Sequence, residues 1–298
     1  AITNPLATLP DLPALADLAH AAGVPVVVDS TLATPALYRP LEHGADVVVH
    51  SATKFLGGHG AVLGGAIVDG GTFDYGAAPD RWPQLARPKA RYGGQTLVER
   101  HGRGAYLTLA RSKFLHDLGP TLAAASAAQF IQGLETLDLR VARHTATALA
   151  VAEHLAGHPA VARVHHPGVA GHPSAALAAR DFPDGVGSVF SFDLACGPEA
   201  VAPFLDALEL FQLVVNVGDA RSLVSHPATM THCRLTRQQR EAAGIAETTV
   251  RLSIGLECPD DLIADLDRAL AVVSAAGPTV PAATPAVPEP AAVTQEGP

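Results

Sequence analysis

Lysine is scarce in this chain: only Lys54, Lys89 and Lys113 occur in 298 residues. Lys89 lies in a polar, proline-bearing stretch and Lys113 in a helical one, where long cationic side chains are ordinarily solvated. Lys54 has a different setting. It closes Ser51-Ala52-Thr53-Lys54 just past a β-branched run, and Gly57-Gly58-His59-Gly60 follows. Open α/β sheets bind ligands in the crevice beyond the strand carboxyl ends. An amine there, flanked by the Ser51 and Thr53 hydroxyls, is placed to meet an anion and an aldehyde together. An ordinary surface lysine is the competing reading. Asp29 ends the preceding β-branched run, so it should reach the same edge. A carboxylate at that edge can keep a ring nitrogen protonated, and a ring so charged draws electrons from an adjacent carbanion. For Asp29 the alternative is an N-cap or a turn.

Positioning these groups requires a layered α/β fold. Leu12, Leu15, Ala16, Leu18, Ala19 and Ala22 recur at helical spacing and stop at Gly23. The runs ending at Asp29 and His50 are short, apolar and β-branched, which predicts strands buried on both faces of a parallel sheet. A short crossover helix fits between them, and a third strand is expected over residues 64–68. Residues 79–96, with three prolines and Gly93-Gly94, read as a long loop. Residues 100–157 read as helical, interrupted at Gly119-Pro120 and near Gly133. A second α+β unit follows, with strands expected at 161–165, 188–194, 213–216 and 249–254, and helices at 198–208 and 260–273. The predicted division is 1–132, 133–274 and a disordered Ala/Pro-rich tail at 275–298, where six of 24 residues are proline.

Composition narrows the function. The chain is 48% hydrophobic, enough for one large or two ordinary domains, and carries 29 acidic against 20 basic residues. No Lys/Arg run marks it for nucleic acid or an anionic membrane, and no apolar run reaches the roughly 20 residues of a membrane helix. Three dispersed cysteines without CxxC spacing argue against a disulfide framework or zinc site and for a reducing, cytoplasmic setting. His165-His166 and the pair His226 and His232 lack metal-ligand spacing, so no metal is expected. Thr53-Lys54 preceding the glycines reverses the P-loop order, and Gly185-Val186-Gly187 reads as a turn.

Residues 26–35 (VVVDSTLATP) and 44–59 (GADVVVHSATKFLGGH) together resemble the PLP-lysine signature of the Cys/Met metabolism enzymes, which depend on pyridoxal 5'-phosphate (PLP). The likeness continues through GLETL at 133–137 and HPG at 166–168 to RLSIGLE at 251–257. It covers about residues 1–273. Within the family, NVGDARSLV at 216–224 with HPA at 226–228 is most similar to the O-acetylhomoserine sulfhydrylase branch; lyases and cystathionine γ-synthases usually carry Ser where Asn216 stands. The loop at 79–96 points the same way.

The resemblance implies an aspartate aminotransferase-like, fold type I large domain plus a smaller C-terminal α+β domain. It implies Lys54 as the lysine joined to PLP and as the proton-shuttling base, and Asp29 as partner of the ring nitrogen. Ser51 and Thr53 would bind the phosphate, and Asn4 the ring hydroxyl. Arg251 would hold the substrate α-carboxylate as a fork, assisted by Asn216. The implied reaction is γ-replacement on O-acetyl-L-homoserine by sulfide or a small thiol, in a homotetramer built as a dimer of dimers. A cystathionine γ-synthase or γ-lyase is the alternative within the family. Ser30 stands where relatives commonly have Asn. The family's N-terminal phosphate loop, ring-stacking Tyr and cross-dimer Tyr/Arg pair have no counterpart here. The chain therefore reads as a fragment or a truncated relative, and a non-catalytic relative is the alternative outside enzymology.

Overall fold

The structure is a computed structural model and describes residues 1–274; the tail expected at 275–298 lies outside the described residues. Helix α1 (Leu12–Ala21) has Pro13 in its first turn and stops at Gly23, whose N–H donates to His20 O at 2.9 Å and whose φ is +66°. Only Leu12 and Ala16 of its apolar stripe are buried, and Leu18 is 70% exposed.

Strands β1 (Val27–Asp29) and β2 (Val47–Ser51) are parallel, with Asp29 opposite Val49. Between them the chain makes a short helix at Thr34–Leu37 and a 3-10 turn at Pro40–His43. Gly44 ends that turn at φ +94°, and a Cβ there would stand 2.7 Å from the Ala16 Cβ, so only glycine lets the turn pack on α1. Strand β3 (Gly65–Asp69) completes the sheet antiparallel to β2, Ser51 facing Gly65.

Burial on both faces holds for Val47 and Val48 of the central strand but not for β1. There Val28 is buried while Val27 is 54% exposed, and β3 exposes Ile67 and Val68. Both are edge strands of a three-stranded sheet, and one side of each has no covering layer among the described residues.

The expected loop at 79–96 contains a helical turn at Pro83–Ala86 and a 3-10 turn at Ala90–Tyr92. They fold around a local cluster of Tyr75, Leu85, Leu97 and Ala105, flanked by Phe73 and Trp82. A capping box joins Thr96 and Glu99 at the start of the next helix, Leu97–His101.

Two longer helices follow, α2 (Ala124–Glu135) and α3 (Leu137–Ala156), so the break falls at Thr136 and Gly133 lies inside α2. The second sheet contains β4 (Val161–His165), β5 (Val189–Leu194), β6 (Gln212–Leu213), β7 (Leu223–Ser225) and β8 (Thr249–Ser253), in the order β4-β5-β8-β7-β6. Only β6 and β7 pair in parallel. Strand β6 is shorter than expected and ends before Asn216; β7 was not anticipated. Helix α4 (Pro259–Ser274) buries Leu262, Leu266, Ala269 and Leu270. One continuous core runs from Ile2 through Phe192 and Leu252 to Val273, so both sheets hold the site against the same apolar interior. No helix among the described residues is long and apolar enough to cross a membrane.

Candidate active site

Parallel pairing brings the ends of β1 and β2 together, and hydrogen bonds lock them. The Asp29 carboxylate accepts the Thr31 N–H at 2.8 Å, the turn short acidic side chains favour. The Thr31 hydroxyl accepts the Ser51 N–H, also at 2.8 Å. Thr31 thus ties the turn after Asp29 to the last residue of β2.

Beyond Ser51 the chain coils. Lys54 N–H donates to Ser51 O at 3.1 Å, Gly57 N–H to Ala52 O at 2.8 Å and Gly58 N–H to Lys54 O at 2.7 Å. This coil sets Lys54 half-buried at the sheet edge. Its amine donates to the Asn216 side-chain oxygen, which comes from the loop after β6. Burial lowers the amine's pKa, and the Arg251 charge lowers it further.

Arg251 rises from β8, between Ser191 of β5 and Ser225 of β7, and is 2% exposed. Nη2 donates to the Asn216 backbone oxygen at 2.9 Å and Nη1 to the Asn4 side-chain oxygen at 3.3 Å, while Nε is buried and meets no acceptor among the described residues. Burial pushes its pKa down to about 10, so it stays charged at neutral pH.

Five of the seven expected residues line or meet one space. Asn4, Asp29, Ser51 and Lys54 line a cavity of about 570 Å³, and Asn216 closes on it through Lys54. Small-molecule sites span roughly 300–1,000 Å³. Arg251 joins them through Asn4 and Asn216. Thr53 is drawn elsewhere: its hydroxyl donates to Gly64 O at 3.2 Å and accepts the Gly64 N–H at 3.0 Å, pinning the start of β3.

Sequence reasoning missed the supports. Gly218 has φ +73°, and a Cβ on it would stand 2.9 Å from both the Lys54 Cβ and the Phe55 N. Its N–H donates to the Ser253 hydroxyl at 3.0 Å, and Ala220 N–H to Gly58 O at 2.9 Å, joining the Asn216 loop to the Lys54 coil. Both lie within the quoted motifs, but their spacing says nothing of a contact made 160 residues away. No group of three or more His, Cys, Asp or Glu among the described residues is arranged for a metal.

An amine depressed by burial, a carboxylate and a hydroxyl around one cavity, with a buried guanidinium tied to them through Asn4 and Asn216, suit a carbonyl-bearing, anionic ligand. Comparison with known proteins agrees. An O-acetyl-L-homoserine sulfhydrylase of Leptospira meyeri is 42% identical over 276 residues, which are 90% of this chain and 62% of that protein. A homocysteine synthase of Schizosaccharomyces pombe is 42% identical over 91% of this chain and 63% of its own length. The chain therefore spans just under two-thirds of these relatives.

Among solved structures, a Campylobacter jejuni protein described as an O-acetylhomoserine (thiol)-lyase, crystallised with a pyridoxyl-lysine phosphate, matches with a TM-score of 0.85. It is 35% identical, over 91% of this chain and 64% of that one. A cystathionine γ-synthase from Xanthomonas oryzae pv. oryzae matches with a TM-score of 0.75 at 38% identity, over 92% of this chain and 62% of that one. The fold is that of the fold type I PLP-dependent enzymes. The family model for Cys/Met metabolism PLP-dependent enzymes matches residues 1–271, and the chain belongs to that family.

Proposed function

We propose that this chain carries the lysine-bearing part of an active site for γ-replacement on O-acetyl-L-homoserine, with sulfide or a small thiol as donor. The products are homocysteine, or methionine from methanethiol, and acetate. The observation that carries the reading is the Lys54 amine held on Asn216 with Arg251 directly behind it.

The residues fit PLP. Lys54 is the amine for its aldehyde, Asp29 the partner for its ring nitrogen, Asn4 for the ring hydroxyl, and Ser51 with Thr53 for its phosphate. Thr53 would have to turn its hydroxyl hydrogen away from Gly64 O to donate to a phosphate oxygen, whereas Ser51 lines the cavity directly. Bound there, PLP supplies the electron sink for the substrate's Cα. Arg251 then takes the α-carboxylate, its unused Nε–H offering a donor that a planar fork aims well. Lys54, its amine depressed by burial, would take one proton at a time, from Cα and, once that proton is passed on, from Cβ. It would return protons to both carbons after the sulfur nucleophile has bonded at Cγ. Acetate leaves Cγ and the sulfur nucleophile takes its place. Asp29 holds the ring proton throughout.

The likeness to the cystathionine γ-synthase supports a second reading, with cysteine as donor; the sulfhydrylases' share in the relatives and Asn216 favour the first. We further propose a cytoplasmic homo-oligomer built as a dimer of dimers. The exposed Phe114, Leu118, Ile131 and Leu139 support such contacts.

The test is to incubate the chain with PLP, reduce with borohydride and map the peptides. Pyridoxyl label on Lys54, absent from Lys54→Ala together with all turnover, is expected. Label confined to Lys89 or Lys113 refutes the assignment. Turnover of O-acetylhomoserine with sulfide supports the first reading and turnover of O-succinylhomoserine with cysteine the second, whereas turnover of methionine alone points to a γ-lyase and overturns both.

A further inference from the structure

Lys54 is held by its backbone as well as by Asn216, and the holder is an arginine with no carboxylate. Arg140, in the first turn of α3, is 6% exposed. Its guanidinium Nη1 donates to Phe55 O at 2.8 Å. Nη2 donates to Gly133 O at 2.6 Å and lies 3.5 Å from Leu56 O, and Nε donates to Thr136 Oγ1 at 3.2 Å. No acidic side chain pairs with it among the described residues, and burial alone depresses its pKa. A buried charge without a counter-ion is expensive, so general stability is a poor reason for its presence. An apolar side chain would fill the volume without that cost.

The acceptors give the reason. Phe55 O and Leu56 O are carbonyls at the end of the coil that starts at Ser51 and bears Lys54. Carbonyls at the end of such a coil have no partner within it. If they are buried and unmet, the coil must open toward water to satisfy them. Arg140 meets them with one rigid fork, which an ammonium group does not reproduce.

Two glycines make room for it. Gly58, at φ +74°, lies so close that a Cβ would run into the guanidinium, and a Cβ on Gly133 would stand 2.8 Å from Gly57 O. Helix α2, helix α3 and the Lys54 coil therefore converge on this one side chain.

We propose that Arg140 is a positioning residue for Lys54: it caps the carbonyl end of the 51–58 coil and so holds the amine against Asn216. The proposal rests on the reading of Lys54 as the working amine. Arg140 touches neither the cavity nor any ligand contact assigned above. It acts through the backbone.

The chain's scarcity of lysine makes the test simple. Full-length wild-type and Arg140→Lys proteins are labelled with acetic anhydride across a pH series. The pH midpoint of Lys54 acetylation is read by mass spectrometry, with exposed Lys113 as the internal standard. A looser coil admits water to Lys54 and relieves the burial that holds its midpoint down. The expected result is an upward shift of the Lys54 midpoint in Arg140→Lys, with the Lys113 midpoint unchanged and the far-UV circular dichroism retained.

A folded Arg140→Lys protein with an unmoved Lys54 midpoint overturns the proposal, even if its melting temperature falls. Should Arg140→Lys not fold, Thr136→Val decides. It removes only the Nε contact, and a smaller upward shift supports the proposal whereas none overturns it. Borohydride mapping of PLP on the wild-type chain reports separately on Lys54, so failure of the proposed function is distinguishable from failure of the positioning role.

Discussion

The Lys54 amine donates to the side-chain oxygen of Asn216, a partner 162 residues later in the chain. Asn216 in turn presents its backbone oxygen to Arg251. A neutral amide thus stands between two cations. It orders both without supplying a negative charge that would favour the protonated amine.

Asn216→Asp tests that neutrality. A carboxylate at this distance stabilises the ammonium form and raises its pKa by about 1–3 units. Each unit removes about tenfold of the free amine at a pH below the midpoint. Activity at pH 7 is expected to fall about 10- to 1,000-fold, and the pH–rate profile of kcat to move to higher pH. An unshifted profile would show that Asn216 does not set the protonation of Lys54.

Arg251→Lys keeps a positive charge but not the fork. If the fork binds the substrate carboxylate as proposed, in ground and transition states alike, its loss should appear mainly in KM for the amino-acid substrate, with kcat changed less. A rise of about tenfold or more is expected, together with a stability loss of about 1–3 kcal/mol from leaving the Asn216 carbonyl without its donor. Steady-state kinetics and a denaturant melt read the two effects separately. A kcat loss at constant KM would move Arg251 from binding to another role.

How far this arrangement was legible beforehand depends on the range of each contact. Asp29 and Lys54 were readable because each follows a short β-branched run, and parallel pairing of β1 with β2 then puts both at one edge. The burial of β1 was misread because a run such as Val26-Val27-Val28 cannot say whether a layer lies over it. Thr53 illustrates a different limit: sequence shows a hydroxyl but not that Gly64 has engaged it from both sides. Arg140 and Gly218 were passed over because their partners, the Phe55 carbonyl and the Lys54 Cβ, are 85 and 164 residues away in the chain, beyond any local pattern. Strand β7 escaped for a similar reason. At three residues it has no period to detect, and it exists because β8 pairs with it.

Gly218→Ala should damage fold and chemistry together. Its positive φ costs an L-residue about 1–2 kcal/mol, and the new methyl would press on the Lys54 Cβ at 2.9 Å. A loss of about 1–3 kcal/mol in stability and a fall in kcat are expected. Gly93→Ala is the control: Gly93 also has positive φ, +67°, but nothing stands within 4 Å of its added Cβ. It should show the conformational cost alone, with kcat unchanged. Equal kcat losses in both would deny Gly218 any special closeness to the lysine.

His166, 2% exposed, accepts the Gly168 N–H at 3.0 Å through Nδ1 and packs edge-on against Phe190, with Nε2 buried near the Gly187 backbone. Burial pushes its pKa from the ordinary 6.5 down to about 4. The unfolded chain therefore binds a proton at this site before the folded one does. Stability from this residue is fully present above pH 6.5, is lost progressively as pH falls toward 4, and declines no further below it. A shift of this size corresponds to a loss on the order of 3 kcal/mol across that window. In His166→Asn the side-chain oxygen can still take the Gly168 N–H, and nothing titrates. Its stability, measured by urea melts at pH 7.5, 6, 5 and 4, should decline less steeply than that of the wild type between pH 6.5 and 4. Parallel curves for the two proteins would mean that His166 is already protonated in the fold or that another group controls acid sensitivity.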